Sequence, residues 1–158
     1  RLLDAFPLGP NAQSLVAILH THGLIDAGQA QPVHRALTLY LLVVFAASAL
    51  SAHLTRERTP LFIVLSIGLA LMPNVMWYHH YVFLLLPTFT WLAWRHKHPA
   101  VVAWCVLGLT LVQVDRTNSL LSVSHGALTH AFGHLSILIV LVGQIRRATE
   151  GRLIDNWR

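Results

Sequence analysis

The sequence predicts an all-α protein, a polytopic transmembrane helical bundle of about five spans, and three observations carry that expectation. Hydrophobic residues make up 55% of the 158 and charged residues only 11%, where a soluble domain carries roughly a quarter of its residues as charge. Mean hydropathy is +0.59. The apolar residues gather into long blocks, and none of these alternates with the period of two that a membrane β-strand requires.

Taken in order, residues 1–32 form a polar, Pro- and Gly-punctuated segment, expected as an outer-face loop holding a short helix. It lacks the basic start and apolar core of a signal peptide, and a chain opening on Arg1 is expected to be part of something longer. Five apolar blocks follow: Val33–His53, Thr59–Met76, Trp77–Trp94, Pro99–Val114 and Ala127–Ile145. At 1.5 Å per residue against a hydrocarbon core of roughly 30 Å, each is just long enough to cross, the third and fourth only marginally. Residues 146–158 are expected to be a basic cytoplasmic tail. Cys105, the one cysteine, lies inside an apolar block, which suits a buried thiol and excludes an intrachain disulfide.

The formal charge of +5 does not point to nucleic acid, because the basic residues are scattered among apolar blocks rather than gathered on one face with aromatics. Their order along the chain gives a topology. With Arg56 and Arg58 cytoplasmic, Arg95, Lys97, Arg146, Arg147, Arg152 and Arg158 fall on the same side, leaving Arg1, Arg35 and Arg116 outside. That bias sets the N-terminal segment outside and the C-terminus in the cytoplasm. The N-terminal segment, the turn around His79 and the Asp115–Gly126 loop then share the outer face.

Between Arg58 and Arg95 the chain must cross twice, so each limb has about 16 residues, or roughly 24 Å of helix. The turn Trp77-Tyr78-His79-His80 is therefore held near or just below the outer interface. Pro73 ends or kinks the first limb by removing a backbone donor. Adjacent histidines on a helix point about 100° apart, so at least one should face a cavity or another segment rather than lipid. Trp77 and Tyr78 also suit an aromatic belt.

Upstream, Asn11-Ala12-Gln13-Ser14 precedes the short apolar helix beginning at Leu15. Asn11 or Ser14 can cap it, and its free N–H groups and dipole suit an anion such as a phosphate. His130 and His134 lie four apart on one helix face, with His125 just before them. Neither Cys nor carboxylate stands near at ligand spacing, so interhelical hydrogen bonding is expected rather than metal or haem. His96 and His98 belong to a solvated basic loop, and His20, His22, His34 and His53 show no partner pattern. Arg35 can receive a lipid phosphate through its planar fork or snorkel to headgroups.

Together, Asn11-Ala12-Gln13-Ser14-Leu15 and the later Pro73-Asn74-Val75-Met76-Trp77-Tyr78-His79-His80, followed by an apolar run ending at Pro87, resemble glycosyltransferase family 87. These are multi-spanning GT-C enzymes typified by mannosyltransferases using polyprenyl-phosphate-mannose. Ala12 interrupts the first motif; the second is the more specific. The resemblance covers most of this chain but only the C-terminal part of a family member. It implies transfer of a hexose, typically mannose, from a polyprenyl-phosphate donor to a glycolipid or glycan acceptor on the outer face of a bacterial plasma membrane.

The resemblance assigns substrate binding to His79, His80, Trp77, Asn11, Gln13 and Ser14, with Arg35 a further candidate, and implies no cofactor and no metal. The family's catalytic base is an aspartate in its first outer loop, and no residue here matches that position; Asp4 does not. The base and the remaining N-terminal spans are thus expected outside this chain, which alone should be inactive. Such chemistry needs a base for the acceptor and stabilisation of the departing lipid phosphate, and imidazole can bond either. Two other classes compete: a membrane haem- or metal-binding redox subunit using His79 or His80 with His130 or His134, and a transporter segment suggested by the Pro-broken span.

Overall fold

The computed structural model describes residues 14–71, 84–95, 97–120 and 126–155. The described residues are helical, with no strand among them. Helix α1 (Leu15–Thr21) leads through a single 3-10 turn (Ala27–Gln29) into α2 (Ala30–Thr55), followed by α3 (Thr59–Leu71), α4 (Leu85–Arg95), α5 (Pro99–Leu120) and α6 (Ala127–Asp155).

Local chemistry sets several of these boundaries. Before α2, Asp26 and Gln29 close a reciprocal capping box, each side-chain oxygen accepting the other's backbone N–H at 2.9 and 3.0 Å; this satisfies donors that the first turn leaves open. Helix α2 ends at Arg56 in the left-handed region, φ 57°, and Pro60 sits in the first turn of α3, where its missing N–H costs nothing.

Successive long helices alternate in direction. Across α2 and α6 the contacts run in parallel, Tyr40 meeting His134 and Ser48 meeting Gln144. Across α5 and α6 they run antiparallel, Trp104 bonding Ser136 at 2.9 Å while Asp115 bonds Thr129. Helix α6 packs on α2, α3 and α5, and α4 sits between α3 and α5. The core is Leu41, Val44, Ile63, Val64, Ile67, Trp91, Ile137 and Val140 with their neighbours, and it includes the buried Cys105 thiol, which points at the Thr88 carbonyl at 3.8 Å.

Two helical stretches, Ala27–Thr55 and Ala127–Glu150, are long and apolar enough to cross a membrane. Helix α3, with 13 residues, and the apolar Pro99–Asp115 part of α5 are shorter. Outward faces are nonetheless apolar: Leu39, Leu42, Val43 and Leu50 on α2, Leu69 on α3, Leu86 on α4, and Leu135, Val142 and Ile145 on α6 are all exposed. Helices apolar all round are those that lie in lipid or deep inside a larger protein.

Two boundaries differ from the sequence reading. Helix α5 runs on to Leu120, so Asp115 lies in a helix and not at the start of an Asp115–Gly126 loop. Helix α6 continues to Asp155, so residues 146–155, expected as a basic tail, are helical. Arg146 supports that continuation through an exposed i,i+4 pair with Glu150 at 2.7 Å.

Midway along α2 and α6, the Ser48 hydroxyl donates to Gln144 Oε1 at 2.7 Å, both residues being buried. Ser48→Ala should destabilise the fold by about 1 kcal/mol, the scale of a buried interhelical hydrogen bond. Adding Gln144→Leu should recover part of the loss, because the stranded amide is removed with it. Unfolding equilibria in detergent would show this, and equal losses in single and double variants would refute the coupling.

Candidate functional site

The alternating helices bring one set of termini together: α1, the starts of α2, α4 and α6, and the ends of α3 and α5. Polar groups concentrate there. Ser14, His34, Thr38 and His134 line a small pocket with Leu37, Leu41 and Leu71. Its volume of about 20 Å³ holds roughly one water and no sugar.

Each side chain arrives by local rules. Ser14 is the N-cap of α1, its Oγ accepting the Ala17 N–H at 3.2 Å, and it is buried; the cap expected of Asn11 or Ser14 is therefore made by Ser14. His34 and Thr38 share a face of α2 one turn apart, the Thr38 hydroxyl donating to the His34 carbonyl at 2.9 Å. His134 stands between two rings, stacked on His130 at 6.1 Å and tilted against Tyr40 at 5.8 Å. The i,i+4 spacing of the two histidines thus does put them on one face, with His134 against Tyr40 of α2.

Beneath this lies a second polar group. Asp115 and Thr129 are wholly buried and His130 nearly so. The Asp115 carboxylate accepts the backbone N–H of Thr129, third residue of α6. Gly126, before α6, is at φ 84° and has no side-chain oxygen to offer, so a residue of another helix supplies a cap that Gly126 cannot.

Of the residues singled out from sequence, Ser14 lies in the pocket wall and Arg35 is exposed on the first turns of α2 beside it. Asn11, Gln13, Trp77, His79 and His80 lie outside the described residues, as does His125. His34 and Tyr40 were not anticipated. The spacing of His34, Thr38 and Leu41 on one helix face could have flagged the histidine, since Leu41 is a core residue. Nothing local marks Asp115 as a cap for a helix 12 residues later.

The imidazoles and hydroxyls of this end can donate to or accept from a phosphate or hydroxyl group. Among the described residues no three His, Cys, Asp or Glu side chains converge as a metal ion would require. Comparison with protein families, curated proteins and solved structures finds no match for this chain.

Proposed function

We propose that this chain is the C-terminal part of a GT-C glycosyltransferase of the bacterial plasma membrane. It moves a hexose, mannose as the resemblance implies, from a polyprenyl-phosphate donor to a glycolipid or glycan acceptor on the outer face. In this reading helices α2 to α6 all cross, the shorter ones in a locally thinned stretch of bilayer. The end carrying Ser14, His34 and His134 faces outward, and the end carrying Arg56, Arg58, Arg95, Lys97, Arg146 and Arg147 faces the cytoplasm.

One observation supports this most. Ser14 closes the Asn11–Ser14 motif and Leu71 stands two residues before Pro73 of the histidine motif, and these two flanks line the same pocket. Ser14 and Leu71, at the described edges of two segments far apart in sequence, thus meet beside His34 and His134. His79 and His80 are assigned to the donor phosphate or the acceptor hydroxyls, Trp77 to the sugar or prenyl chain, and Asn11, Gln13 and Ser14 to the adjoining polar wall.

The test is sugar transfer by the full-length parent enzyme in membranes supplied with polyprenyl-phosphate-mannose. Wild type should transfer; His79→Ala and His80→Ala should each lower the rate by at least tenfold, in keeping with loss of a group that bonds the reacting centre. Undiminished turnover in both variants would remove the histidines from the site. A haem absorbance band or stoichiometric metal in the purified protein, with no transfer, would overturn the assignment in favour of redox chemistry.

A further inference from the structure

At the opposite end of the bundle, α4, α5 and α6 enclose a cleft of about 380 Å³, within the range of small-ligand pockets. We propose that it binds an anionic phospholipid, the phosphate held by Arg95, Arg146 and Arg147 and an acyl chain lying along Val101, Ile139 and Val140. This inference rests on the membrane reading above but not on the sugar-transfer reading.

The charge is arranged for an anion. The Arg95 guanidinium lies 4.1 Å over the Trp94 ring and that of Arg147 5.1 Å from the same ring. A guanidinium stacked through its face keeps its N–H edge available for phosphate oxygens. Arg147 also pairs with Glu57 at 3.2 Å, and Arg146 with Glu150 at 2.7 Å. Among the described residues no carboxylate pairs with Arg95, so the cleft keeps an excess of positive charge. The N-terminus of α5 opens beside it at His98 and Pro99, adding the positive end of a helix of 22 residues.

The shape selects a lipid over a free anion. One wall is polar; the other is Trp91, Val101, Ile139 and Val140, of which Ile139 is itself exposed on the surface of α6. A headgroup can therefore sit among the arginines while its chain follows the helix into the apolar belt. Basic clefts between spans on the cytoplasmic side recognise anionic headgroups by this division. Net positive charge favours a net negative headgroup over a zwitterionic one.

The full chain, purified in detergent and offered equal amounts of phosphatidylglycerol and phosphatidylcholine, is read by native mass spectrometry. Phosphatidylglycerol should be retained about tenfold over phosphatidylcholine. Arg95→Gln with Arg147→Gln should erase the preference, at about fivefold per arginine. Arg56→Gln with Arg58→Gln, at the same end but in a different cleft, should leave it intact. Equal retention of the two lipids by wild type overturns the proposal, whether or not the cleft variant folds. Full competition by inorganic phosphate or glycerol phosphate at the lipid's own concentration would make this a site for a soluble anion. If the chain fractionates with the aqueous phase and retains neither lipid, the membrane reading itself has failed.

Discussion

Asp115→Ala is expected to destabilise the helical bundle by about 2–3 kcal/mol. Two effects oppose each other. Removing a carboxylate from a wholly buried position relieves its desolvation cost, which for an ion out of water amounts to several kcal/mol. Against that, the carboxylate accepts the Thr129 N–H at the start of α6, where the amides have no intrahelical partner and Gly126 contributes no side chain. Loss of a cap costs about 0.5–2 kcal/mol, and the loss lies at the upper end here because the stranded donor is buried, where an unsatisfied group costs about 1–3 kcal/mol.

The second effect wins because the donor stays buried whatever replaces the aspartate, whereas the carboxylate was already compensated by the positive end of α6. Asp115→Asn should recover about half, since the amide oxygen accepts the same bond without the charge. Denaturation in detergent followed by circular dichroism would measure both. An Ala variant within about 0.5 kcal/mol of wild type would show that the cap carries no net stability, in the range of an ordinary surface change.

Gly108→Ala is expected to cost about 1–3 kcal/mol, although alanine is the better helix former by about 1 kcal/mol. A Cβ at Gly108 would overlap the ring of Phe132. That ring is buried and tilted against Trp104 at 5.5 Å, so it cannot swing aside without disturbing the α5–α6 contact. Gly143→Ala is the matched control, since a Cβ there meets nothing within 4 Å and should be neutral or gain up to about 1 kcal/mol from propensity alone. If both substitutions shift stability in the same direction, the close approach of α5 to Phe132 is not what holds the glycine in place.

The two substitutions divide what could be read from the chain from what could not. The apolar blocks beginning at Val33 and Ala127 announced α2 and α6 because hydropathy is a sum over neighbours in sequence. Ser14 as a helix cap was legible for the same reason: the cap and the amide it satisfies are three residues apart. The extension of α5 past Asp115 was not, because an acidic residue followed by Arg116, Thr117 and Asn118 has the composition of a loop. It stays helical where the carboxylate finds a distant backbone donor. Helix α6 extends past the apolar block that ends at Ile145 for a different reason: Arg146, Arg147 and Glu150 are poor membrane residues but good helix formers, so the charge ends the apolarity and not the helix.

By itself the sequence determined the helical class, the apolar composition and the segregation of arginines toward one set of turns, because these depend on local composition and on the order of polar punctuation. Only the tertiary structure decided that Ser14 and Leu71 line one pocket, that His134 stands between His130 and Tyr40, that Asp115 caps α6 and that two arginines share the Trp94 ring. Those pairings depend on which faces of separate helices meet. Helices apolar on every side do not declare in advance which face will turn inward; the choice falls to steric fit, as at Gly108 and Phe132, and to the few polar groups that must find partners in a dry interior.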